Sequence, residues 1–136
     1  MQMKEKFINP EFIDISSELT NEQAENYTTL ASKYDAIIFG IFVKVKYGTG
    51  KIALPISQIN LLKSLSGNIS NTIVISFGNP YLLKEFSSIP NYMCAYGDAD
   101  VSIKAAIKAI QGEIHIIGKL PVSITNEYKL GSRIQK

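Results

Sequence analysis

Few residues in this chain have types and spacing suited to chemistry. Asp98 and Asp100 stand two apart beside Gly97, and a pair of carboxyl groups is the minimum equipment for cleaving a glycosidic bond. Both also lie just before a helical pattern that starts at Val101. There an aspartate accepts bonds from free N–H groups and meets the positive end of the helix dipole, so capping is the expected role. Tyr47-Gly48-Thr49-Gly50-Lys51 has the glycines and the lysine of a phosphate loop but not its spacing. A phosphate loop has glycine where this chain has Val45, and Ser or Thr where it has Ile52, so a surface loop is expected. His115 is the sole histidine, which leaves no histidine cluster for zinc, and no serine occupies a G-x-S-x-G elbow. Cys94, between Met93 and Ala95, reads as a buried inert thiol, and a single cysteine forms no internal disulfide.

The elements that must position these residues alternate in type. Phe12 to Ile15 alternates apolar and polar in strand fashion. Thr20 with Gln23 three residues on has capping-box spacing, which predicts a helix over about 21–33 with Ala24, Tyr27, Leu30 and Ala31 on one stripe. Ala36 to Val43 is apolar throughout, the pattern of a parallel strand covered on both faces, and Thr72 to Phe77 repeats it. Tyr92 to Ala95 is a shorter third strand. Helices are predicted near 57–66, with Ile59, Leu62 and Leu65 inward, and near 81–86. The last helix carries Ile103, Ala106, Ile107 and Ile110 on one face, Lys104 and Lys108 on the other, and Gly112 at its end.

Strands alternating with helices predict an α/β fold, a three-layer αβα sandwich with a mostly parallel, flavodoxin-like sheet. The 136 residues suit one domain, 1–136, with residues 1–10 expected outside its packed part. Fourteen basic and 12 acidic residues, scattered along the chain, give no footprint for nucleic acid. The longest apolar run is far shorter than the roughly 20 residues that span a bilayer, and no apolar segment follows the charged N-terminus as a signal peptide requires. No cofactor is expected. Open α/β sheets place their sites beyond the carboxyl ends of the strands, which here means the stretches 44–55, 78–81 and 96–100.

The order of several segments resembles the C-terminal domain of family 3 glycoside hydrolases. These are Tyr34-Asp35-Ala36-Ile37-Ile38-Phe39-Gly40, then Leu54-Pro55-Ile56-Ser57-Gln58, then Val74-Ile75-Ser76-Phe77-Gly78-Asn79-Pro80-Tyr81. Ala95-Tyr96-Gly97, the end of the last helix at Gly112-Glu113, and Gly118-Lys119-Leu120-Pro121-Val122-Ser123-Ile124 agree with it, so the likeness runs in order from Tyr34 to Ile124.

The resemblance implies a parent enzyme that hydrolyses terminal β-glucosides or N-acetyl-β-glucosaminides with retention. Its nucleophile would lie on a (β/α)8 barrel, which needs about 250 residues and does not fit in this chain. Some members of the family take their acid/base glutamate from this domain. Glu85 and Glu113 do not match that position, which favours the subtype with both catalytic groups on the barrel and none here. The resemblance therefore implies a non-catalytic domain whose partner is the barrel, with Asn79, Pro80, Tyr81, Tyr96 and Asp98 as candidates for the barrel interface or pocket rim, and with self-association through that face when the domain is alone. The alternative reading is an independent flavodoxin-like domain that binds a small ligand or a protein through the same loops. A third, a stand-alone hydrolase using Asp98 and Asp100, predicts turnover by the isolated chain.

Overall fold

The computed structural model describes residues 7–43 and 54–133; the glycine loop Tyr47–Lys51 lies outside them. The first helix, α1 (Asn21–Ala31), starts where the capping box dictates. Thr20 Oγ1 accepts from the Gln23 N–H at 3.2 Å, and Gln23 Oε1 accepts from the Thr20 N–H at 3.0 Å. It stops short of Lys33 because the chain tightens there into three-residue turns, the Lys33 N–H bonding the Leu30 carbonyl at 3.0 Å and the Tyr34 N–H that of Ala31 at 3.1 Å. Ala24, Tyr27, Leu30 and Ala31 are half-buried and nothing in α1 is fully buried, so this helix is peripheral.

Strand β1 (Ile37–Ile41), helix α2 (Ile56–Asn68), strand β2 (Thr72–Ser76), a 3-10 helix (Pro80–Phe86), strand β3 (Tyr92–Cys94) and helix α3 (Asp100–Ile110) follow. The three strands form one parallel sheet in the order β1-β2-β3, with Ile37 opposite Thr72 and Val74 opposite Tyr92. The described residues thus form a small α/β fold.

Residue alternation explains why these strands read as unbroken apolar runs. Val74 of β2 packs with Ile41, Ile59, Leu62, Leu82 and Phe86, on the face covered by α2 and the 3-10 helix. Its neighbour Ile75 packs on the opposite face with Phe77 and Ala106, flanked by Ile38, Met93 and Ile103, beneath α3. Both Val74 and Ile75 are fully buried. A strand covered on both faces has no position where a polar side chain reaches water. The two connections that step from β1 to β2 to β3 lie on one face, as right-handed crossovers progressing in one direction must. Among the described strands the order never reverses, so the crevice that a reversal opens in doubly wound sheets is not found among them.

Helix α3 ends in a full Schellman motif. The Glu113 N–H bonds the Lys108 carbonyl at 2.9 Å and the Gly112 N–H bonds that of Ala109 at 3.1 Å, with Gly112 at φ 73°. Helix α2 buries Leu61 in addition to the three residues its period predicts, because α1 packs beside it.

One expected element is corrected. Phe12 to Ile15 is not a strand but part of an irregular arm over residues 7–16. Its carbonyls find a side chain instead of a ladder: Gln58 Nε2 donates to the Ile15 carbonyl at 3.1 Å and to that of Ser16 at 2.9 Å. After α3, residues 113–119 are exposed. The segment from Leu120 folds back on itself through Leu120 N–H to Ser132 O and Ile124 N–H to Tyr128 O, both 2.8 Å, and Ile124 is buried.

Candidate functional site

Three parallel strands end on the same side of the sheet, and the residues following them make a rim. After β1 comes Phe42, 54% exposed, its ring stacked on Phe77 at 4.6 Å and 7°. Gly40 makes room for that stack, since a Cβ there would stand 3.2 Å from the Phe42 ring. Phe42 was not singled out by sequence, because inside an all-apolar run nothing marks the residue that has passed the end of the strand.

After β2 the chain turns at Gly78, whose φ of 132° suits glycine alone. Asn79 is buried and acts on its own backbone. Its Oδ1 accepts from the Tyr81 N–H at 2.8 Å and caps the 3-10 helix, while its carbonyl accepts from Ser76 Oγ at 2.6 Å. Pro80, half-buried, fills the first turn, where a missing N–H costs nothing. Tyr81 points its ring outward, 41% exposed, with Lys84 Nζ 5.5 Å from the ring centroid. Of this group, Tyr81 alone presents a large exposed surface.

After β3 comes Tyr96, 44% exposed and held at φ 57°. A left-handed tyrosine carries strain of about 1–2 kcal/mol, which the surrounding packing must offset. Burial pushes the Tyr96 phenol up to about 12, helped by the neighbouring Cys94. Burial likewise raises the Cys94 thiol to about 11, against a hydrogen bond with Tyr96 that lowers it. Cys94 is therefore a protonated, poorly nucleophilic thiol at neutral pH. Burial raises the Tyr92 phenol further, against an interaction with the Ser76 hydroxyl that lowers it.

Asp98 and Asp100 are both exposed, and the capping expected of them is corrected. Helix α3 starts at Asp100 with Ala99 in the cap position, and no side chain bonds its free N–H groups. Asp100 in the first turn still meets the helix dipole favourably. Two cavities among the described residues lie elsewhere, one between α1 and α2 and one beneath the arm, and neither is lined by these aspartates. Among the described residues no group of three or more His, Cys, Asp or Glu side chains is placed to hold a metal ion, and His115 sits in the exposed stretch after α3.

Exposed after the strand ends are therefore Phe42, Tyr81, Tyr96 and Val101, the last 72% exposed in the first turn of α3, with Asp98 near Tyr96 and Val101 in sequence. Such a surface is suited to packing: large rings, two with polar tips, on stiff supports. No family model, curated protein or solved structure compared with the chain matches it.

Proposed function

We propose that this chain is a non-catalytic α/β domain that packs through the rim at the carboxyl ends of its strands against a (β/α)8 barrel, in the manner of the C-terminal domain of family 3 glycoside hydrolases. In this reading the barrel hydrolyses terminal β-glycosides, such as β-glucosides or N-acetyl-β-glucosaminides, and this domain supports it. The observation that carries the reading is the exposure of Phe42, Tyr81, Tyr96 and Val101 around one end of the sheet. Scattered single apolar residues need no explanation, but four that follow the carboxyl ends of three adjacent strands call for a partner. Covering the part of each side chain now in water is worth about 1 kcal/mol, so the four supply the core of an interface whose polar rim includes Asp98 and Lys84.

The test uses the chain and a separately produced family 3 barrel, mixed and followed by calorimetry and size-exclusion chromatography. A complex is expected, weakened about tenfold or more by Tyr96→Ala combined with Phe42→Ser. Nitrophenyl β-glucoside and nitrophenyl N-acetyl-β-glucosaminide should not be turned over by the chain alone. Turnover by the isolated chain that disappears in Asp98→Asn would overturn the proposal in favour of a stand-alone hydrolase.

A further inference from the structure

An apolar cavity of about 390 Å³ lies where the arm crosses α1 and β1, lined by residues that the rim does not use. Its walls include Phe12 and Ile13 of the arm, Tyr27 and Leu30 of α1, Phe39 of β1 and Leu65 of α2. The arm bends at Asn9, left-handed at φ 50°, a conformation asparagine tolerates better than most residues. It is then fastened at two places. Gln58 holds the carbonyls of Ile15 and Ser16, and Tyr34 Oη donates to Glu11 Oε2 at 2.5 Å. A space of this size, mostly apolar and with a few polar groups at its edge, has the dimensions of a small-molecule site.

The charge at the cavity is of one sign. Among the described residues that line it, Glu11 and Asp35 carry the charge, both are exposed, and no lysine or arginine joins them. Tyr34 uses one oxygen of Glu11, and the other has no hydrogen-bond partner among the described residues. A carboxylate accepts several hydrogen bonds, so an arriving ammonium need not displace the phenol. We propose that this cavity binds a small hydrophobic amine, its body between the arm and α1 and its ammonium group on Glu11. An apolar cavity of 150 Å³ takes a benzene, so the space here suits a body of about two fused rings. The hydrogen bond to Glu11, with some burial, raises the Tyr34 phenol, which therefore stays a neutral donor to the carboxylate through the physiological range.

The experiment titrates the isotope-labelled full chain with tryptamine and with tryptophol, which replaces the ammonium by a hydroxyl, and follows backbone amide shifts by NMR. Tryptamine should bind with a dissociation constant of about a millimolar, as its size allows, and shift the amides of residues 11–13, 30–34 and 37–39. Tryptophol should bind at least about fivefold more weakly, and Glu11→Gln, a change at an exposed position, should erase that difference while leaving tryptophol binding unaltered. Ala31→Leu, which adds three carbons to the cavity wall, should weaken both ligands. Equal affinity of the two ligands for the unmodified chain, shifts confined to the rim, or no shifts at all would each overturn the proposal. None of these results bears on docking to a barrel, which uses the other end of the sheet.

Discussion

Replacing Asn79 by alanine separates a residue that holds the rim from one that touches a partner. In the structure the side chain is buried and its Oδ1 accepts from the Tyr81 N–H at 2.8 Å. The alanine variant loses a cap worth about 1 kcal/mol and leaves the Tyr81 N–H, half shielded by the turn, without its acceptor. These two costs overlap, since both describe the same N–H. The bond from Ser76 Oγ at 2.6 Å is made to the Asn79 backbone carbonyl and survives the change. The net loss should be about 1.5 kcal/mol, and for a domain of this size that lowers Tm by roughly 5 °C. Thermal unfolding followed by circular dichroism at fixed pH measures it directly. Asn79→Ser should recover most of the loss, because serine caps about as well as asparagine. A melting point for the alanine variant within about 1 °C of the parent would refute the capping argument, given a cap worth about 1 kcal/mol or more. It would return Asn79 to the contact role its place in the sequence suggests.

Other outcomes follow from the same structure. Leu62→Ala, which empties a buried position between α2 and the sheet, should cost about 2–5 kcal/mol by urea unfolding. Gly112→Ala should cost about 1–2 kcal/mol from backbone strain alone, since a Cβ there meets nothing within 4 Å; a neutral result would contradict the left-handed cap. Cys94 should react slowly with iodoacetamide at pH 8 in the folded chain and at an ordinary rate in urea. Its folded pKa is raised from 9.0 to about 11, so the stability it contributes is complete below about pH 9 and is lost as pH rises through about 11. The urea midpoint should fall across that window, and less steeply in Cys94→Ala. Tyr96→Ala keeps the Cβ that strains φ 57°, so it should leave the backbone cost in place, while reducing any self-association seen by sedimentation.

Local chemistry was legible in the chain wherever it was self-contained. Thr20 and Gln23 announced the start of α1, Gly112 the end of α3, and the unbroken apolar runs at β1 and β2 announced strands covered on both sides, because each signal is complete within a few residues. Signals whose meaning depends on a distant partner misled. Phe12 to Ile15 alternates like a strand, yet a strand needs a neighbour to bond, and Gln58, some forty residues on, occupies its carbonyls instead. Asp98 and Asp100 have the composition of caps, but the start of α3 put Ala99 in the cap position and left their side chains without that bond. Phe42 and Tyr96 show the same division. Their apolar and aromatic character is written in the chain, but only the end of the sheet decided that they face water, and only the packing around Tyr96 forced it into a left-handed bend that its sequence neighbour Gly97 would have taken at no cost. Backbone propensity and hydrophobic period act over three or four residues, and these fixed the elements. Exposure, strain and the cavity under the arm arise from contacts between segments far apart in the chain, so they exist only once those segments have met.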